Sequence, residues 1–172
     1  METTRRAGGD AVCGPSSGKV TRFDAHGYPN TAMRLAEDDA RARLAARDHG
    51  VLCTVHAERG VDAVPVVYVV DDDGYVCVPV DRVKPKAAQR LQRERNLERD
   101  PRAALLVDHW DRDDWTQLWW VRAELRWHGV ATDQATALAA RLAERYRQYR
   151  DEPFDRLLQL RIVAVTGWAA AG

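Results

Sequence analysis

From Gln117 to Val130 the chain alternates so regularly that only one kind of structure accommodates it. Trp119, Val121, Ala123, Leu125 and Trp127 fall on one face at period two, and Trp120, Arg122, Glu124, Arg126 and His128 fall on the other. A long run of this kind predicts a strand of an antiparallel sheet, with its apolar face on a core. The opposite face is charged and suits a binding site or a subunit interface.

Five further strands are predicted around it. Val51 to Ala57 and Asp62 to Val70 are rich in β-branched residues, and Asp71-Asp72-Asp73-Gly74 then accepts the positive φ of a tight turn into Tyr75 to Val80. The third strand is therefore expected to pair antiparallel with the second. Three adjacent aspartates invite a metal-loop reading, but the later ligands of an EF-hand are missing and a solvated turn is expected. Ala103 to Trp110 and Leu157 to Trp168 complete the set. Pro65 and Pro79 lie inside strand-like runs, where a missing amide hydrogen confines proline to an edge or a bulge, with or without a ligand beside it.

Three helices fall between or before the strands. Leu35, Ala36, Ala40, Leu44 and Ala45 recur at helical spacing between Met33 and Asp48. A basic helix follows Lys86 and ends before Asp100-Pro101, and a third, capped by Thr132 or Asp133, runs to Tyr149. Six strands, mostly antiparallel, with peripheral helices predict a mainly β fold, a closed or split barrel. No repeated strand and helix alternation opens on a glycine fingerprint, which excludes a doubly wound dinucleotide fold. Residues 1–30 are rich in Gly, Ser and Pro and are expected to form a flexible extension, leaving 31–172 as the folded domain. Within the extension, Gly14 to Lys19 resembles a phosphate loop but lacks the spacing and the hydroxyl residue.

Composition removes several function classes. With 26 basic and 26 acidic residues in 172, the chain has no global field to draw it onto nucleic acid or anionic membrane. Cys13, Cys53 and Cys77 are odd in number and widely spaced, which predicts buried thiols in a reducing compartment, and no apolar run marks a secretory leader or a membrane span. A cytoplasmic location is expected. The five histidines show no metal-ligand spacing, no Gly-x-Ser-x-Gly elbow is present, and His109 and His128 are expected to be packed. No catalytic side chain and no metal site are assigned.

What survives is a concentration of positive charge. Arg82, Lys84, Lys86, Arg90, Arg93, Arg95, Arg99 and Arg102 stand against only Glu94, Glu98 and Asp100. Lys84 and Lys86, separated by Pro85, are expected where a strand ends and a helix begins, so that lysine charge and free helical amides converge on one anion. The arginines are expected to solvate a surface helix, pairing with Glu94 and Glu98 at i,i+4 spacing. Any substrate pocket would depend on Trp110, Trp115 and Trp119.

The order VPVVYVVDDDGYVCVPVDRVKPK, then RNLERDPRAALLVDHWDRDDWTQLWWVRAELRWHG, then AERYRQYRDEP and VTGW, resembles the pyridoxamine 5'-phosphate oxidase-like split-barrel proteins of actinobacteria. It is most similar to the branch assigned to the deazaflavin coenzyme F420, over roughly Arg34 to Trp168. The resemblance implies an FMN-binding split β-barrel fold and a homodimer with two cofactor sites at the subunit interface. The cofactor ring would lie against Val64, Pro65 and Val66, with Lys84 and Lys86 at its phosphate and Trp120 and Arg122 contributed by the partner chain. Ala87 and Ala88 replace an expected arginine and hydroxyl residue, and Arg90 is the expected substitute. The implied activity is F420-dependent hydride transfer to or from a small organic substrate. An FMN-dependent oxidoreductase and a non-catalytic cofactor carrier are the alternatives.

Overall fold

The computed structural model describes residues 33–80, 90–130, 135–151 and 154–170. The strands are β1 (Met33–Arg34), β2 (His49–His56), β3 (Gly60–Val67), β4 (Val69–Val70), β5 (Tyr75–Val80), β6 (Arg102–His109), β7 (Trp119–Val130) and β8 (Arg156–Ala169). The helices are α1 (Glu37–Ala46), α2 (Gln92–Arg99) and α3 (Ala135–Arg145). All pairings are antiparallel, in the order β3-β2-β6-β7-β8-β5-β4, with β1 beside β8. The mainly β, mostly antiparallel barrel expected from the sequence is therefore present. None of the described helices is long and apolar enough to cross a membrane.

The described strands number eight and not six because the predicted second strand is broken in two and a short strand, β1, precedes α1. β3 and β4 are one stretch of chain interrupted at Tyr68, and they stand at opposite ends of the strand order. The N-terminal part pairs with β2 and the C-terminal part with β5, so this one stretch closes the sheet into a barrel. Tyr68 is fully buried at the break and donates to the Leu44 carbonyl at 2.5 Å, which ties the seam to α1. The expected Asp71 to Gly74 turn links β4 and β5: Gly74 has φ +84°, and the Asp71 carboxylate accepts from the amides of Asp73 and Tyr75 at 3.0 and 2.7 Å. Both strand prolines lie where the strand has a single partner, Pro65 opposite Val51 and Pro79 opposite Leu157.

The barrel interior is filled by Leu52, Val66, Val76, Val78, Leu105, Val107, Val121, Ala123, Leu125, Leu158 and Leu160. One end is stopped by Ala40 and Leu44 of α1, the other by Leu97 of α2. A smaller cluster, Leu138, Leu142 and Tyr149 with Val69, Cys77 and Leu157, seats α3 on the outside of β4, β5 and the start of β8. Strands β2 and β6 approach closely at Gly50, where an added methyl would meet the Leu106 carbonyl oxygen at 2.7 Å and Val107 Cγ1 at 2.8 Å. Gly50→Ala is accordingly expected to destabilise the fold by about 1–3 kcal/mol, read from a lower urea midpoint at unchanged slope. An unchanged midpoint would mean that the two strands separate freely here.

The helix boundaries need correction. α1 and α3 are shorter than the predicted spans, and α2 does not begin at Lys86 but at Gln92, after Leu91. Lys84 and Lys86 lie outside the described residues.

Candidate functional site

The alternation of β7 decides which side chains can meet a ligand. Trp119, Val121, Ala123, Leu125 and Trp127 pack inward, while Trp120, Arg122, Glu124, Arg126 and His128 face out. Because α3 shields only the outer side of β4, β5 and the start of β8, the outer side of β3, β2, β6, β7 and the remainder of β8 is uncovered by any described element. Register lines up Pro65, Val51, Leu106, Arg122 and Thr166 across these five strands. One step along lies Asp108, Trp120 and Trp168. This face exposes apolar surface that a sheet would ordinarily cover, with Leu106 at 39% and Trp120 at 36% exposure.

Two polar groups interrupt it. Arg122 is loosely paired with Glu124 at 3.8 Å, both half in solvent, so its fork remains available. Thr166 Oγ1, directly opposite Arg122, is buried with no hydrogen-bond partner among the described residues. An orphaned buried hydroxyl costs free energy that a ligand atom would recover.

The predicted site residues are distributed unevenly over this geometry. Pro65, Trp120 and Arg122 come together on the outer face. Val64 and Val66 turn inward to the core, so to a ligand outside they offer only main-chain groups of β3. Arg90 is committed to Glu98 at 2.5 Å. Thr166, Val51 and Leu106 were not singled out from the sequence. Their signal lies in register, which no single strand carries.

The basic helix also behaves differently from its sequence pattern. Glu94 and Asn96 are buried, and Glu94 pairs with Arg156 of β8 at 2.7 and 2.8 Å. The Glu94 carboxylate also accepts from the Leu91 amide at 2.8 Å, so the first turn of α2 already holds an anion of its own. Burial pushes the Glu94 carboxyl upward, but the guanidinium of Arg156 and the Leu91 amide outweigh it and hold the group below its ordinary range. Asn96 donates to Thr54 Oγ1 and Asp62 at 3.0 Å each, tying α2 to β2 and β3.

The remaining candidates are occupied or neutral. Trp119 lies under Arg43 and Arg47, at 4.8 and 5.3 Å from its ring, whereas Trp110 and Trp115 project into solvent at 57% and 65% exposure. His109 contacts the Trp119 ring and His128 the Tyr75 ring. Cys77 is fully buried, its thiol pushed up to about 12 by burial and then by nearby Asp71, and Cys53 is raised by burial as well. Both stay protonated and neither is a nucleophile. A shallow cleft between α1, β4 and α3 is lined by Arg141 and Arg145, which are engaged with Asp72, Asp48 and main-chain carbonyls.

Comparison with known proteins places this geometry in a wider set. The sequence profile of the pyridoxamine 5'-phosphate oxidase family matches residues 36–169. No curated protein matches the chain. Among solved structures, an FAD-binding protein from Mesorhizobium loti is 16% identical with a TM-score of 0.62, over 82% of this chain and 98% of that one. A conserved hypothetical protein from Mycobacterium tuberculosis is 22% identical with a TM-score of 0.61, over 79% and 86%. An FAD-binding protein from Mycobacterium smegmatis is 14% identical with a TM-score of 0.51, over 80% and 96%. At these identities the likeness is one of fold.

Proposed function

The chain belongs to the pyridoxamine 5'-phosphate oxidase family, and from that premise we propose that it is an oxidoreductase holding a flavin-type cofactor on the outer face of β3, β2, β6, β7 and β8. The observation that carries the reading is the orphaned Thr166 hydroxyl beside the available Arg122 fork, in register with exposed Pro65. A flat heteroaromatic ring with polar edges fits that combination, since apolar Val51, Pro65 and Leu106 suit its face and the hydroxyl and guanidinium suit its rim. The FAD-binding structural neighbours support a flavin. The finer reading is coenzyme F420, with FMN as the alternative.

The bound cofactor would supply two-electron hydride chemistry. The chain's own residues bind and orient. Thr166 and Arg122 fix the ring edge, β3 main chain and Pro65 set its depth, and Trp120 excludes water from one side. Lys84 and Lys86 are proposed to neutralise the cofactor phosphate. No side chain is required as nucleophile, acid or base. The exposed apolar part of the face, with Val61 at 70% exposure on its β3 margin, fits a second copy of the chain, which would complete the site and bring Trp120 and Arg122 to its partner's cofactor.

The test is fluorescence titration with F420 and with FMN. Wild type is expected to bind F420 more tightly, and Thr166→Val to weaken that binding about three- to tenfold through the lost hydrogen bond. Binding of neither cofactor would overturn the function; equal binding by wild type and variant would overturn the placement. Oxidation of the reduced cofactor by an enone and quinone panel separates an enzyme from a carrier.

A further inference from the structure

Register brings three arginines into one line at the α2 end of the outer face. Arg102 of β6 stands directly opposite Arg126 of β7, which stands directly opposite Arg161 of β8. All three are exposed. Opposed side chains on antiparallel strands start about 5 Å apart, so the row spans roughly 10 Å at its base. Tyr75 of β5, opposite Arg161, ends the line, with the His128 ring 5.0 Å from its own.

Like charges placed directly opposite one another destabilise a sheet. Here the nearby carboxylates among the described residues relieve only one of the three, Arg102, and leave Arg126 and Arg161 without a close partner. Asp100 gives both oxygens to Arg102, at 2.6 to 3.2 Å, and Glu124, the next outward side chain along β7, leans toward Arg122. Arg102, and after it Arg126, hold the Asp100 carboxyl down at about 2, so this acid stays charged and still leaves the row with a surplus of positive charge. Among the described residues Arg126 and Arg161 have no ion-pair partner. Two adjacent guanidinium forks therefore point outward with their donors free, beside a third that Asp100 pairs.

We propose that this row is a binding site for a diphosphate-type anion, one oxyanion group on the Arg126 fork and its neighbour on the Arg161 fork. A guanidinium offers paired donors in the geometry of an oxyanion edge, and two forks side by side select two linked groups over one. A diphosphate is favoured over a dicarboxylate because its higher charge is drawn more strongly to the Arg126 and Arg161 pair that Asp100 leaves unneutralised. The site lies four residues along β7 from Arg122, about 13 Å from the cofactor row, and does not depend on the cofactor reading.

The probe is inorganic pyrophosphate, titrated calorimetrically into the full chain at low ionic strength. Wild type is expected to bind it at least about tenfold more tightly than orthophosphate, and Arg126→Gln with Arg161→Gln to lose at least about tenfold. Without anion, the same double variant is expected to melt about 1–3 °C higher, because the opposed charges are gone. Arg112→Gln, an exposed arginine outside the row, is expected to leave the affinity unchanged. Equal affinity in wild type and double variant, or an equal loss in Arg112→Gln, would overturn the site. So would a double variant that loses a subunit contact while pyrophosphate has no effect on wild type, which would assign the row to an acidic segment of a second copy.

Discussion

Replacing Lys84 and Lys86 together by alanine is expected to weaken binding of the phosphate-bearing cofactor by about 2 to 4 kcal/mol, roughly thirty- to a thousandfold in Kd. Each lysine is credited with one charge-assisted contact of about 1.5 kcal/mol or somewhat more. The substitute expected from the sequence has a competing partner. Arg90 is held by Glu98, and the first turn of α2 is occupied by the Glu94 carboxylate. The segment carrying the lysines leaves β5 at Val80, whose carbonyl accepts from the Asp155 amide at 2.8 Å, and re-enters described structure at Arg90. Fluorescence titration of wild type and double variant decides the matter, and equal affinities would remove the lysines from the site.

Arg156→Met is expected to cost about 3 kcal/mol of stability, more than Glu94→Gln. The asymmetry follows from burial: the Glu94 side chain is 6% exposed and that of Arg156 23%. Removing the guanidinium leaves a carboxylate buried without its partner, which for such pairs costs roughly 3–5 kcal/mol, here at the lower end because Arg156 keeps part of its surface in water. Removing the carboxyl charge leaves an arginine that still contacts Asp155 and reaches solvent. The pH dependence has a definite sign. The folded Glu94 carboxyl titrates below its ordinary 4.5, so its contribution is complete above that value and is lost as pH falls through the folded one. In urea unfolding, wild type should lose stability on acidification over this window and Arg156→Met should lose less. Parallel pH profiles would show that the pair does not report on folding.

Much of the barrel was legible in local pattern. Period two in β7 places Trp119 to Trp127 inward and Arg122, Glu124 and Arg126 outward, as found, because alternation follows from strand geometry alone. The Asp71 to Gly74 turn was legible for a similar reason, since carboxylate caps and positive φ belong to four consecutive residues. The burial of Glu94 and Asn96 was not legible. In sequence they are members of a polar helix, and they become interior only because Arg156, Thr54 and Asp62, far along the chain, supply partners for them.

By itself the sequence determined the class of the fold, the position of the long strands other than the one broken at Tyr68, and the inward face of β7, since these depend on the chemistry of neighbouring residues. Only the tertiary structure decided the seam at Tyr68, the orphaned Thr166 opposite Arg122 and the line of Arg102, Arg126 and Arg161. Each of these is a relation between strands. A one-residue slip would turn every side chain to the opposite face, so which residues meet across the sheet is settled by the packing of the whole barrel and not by any stretch of it.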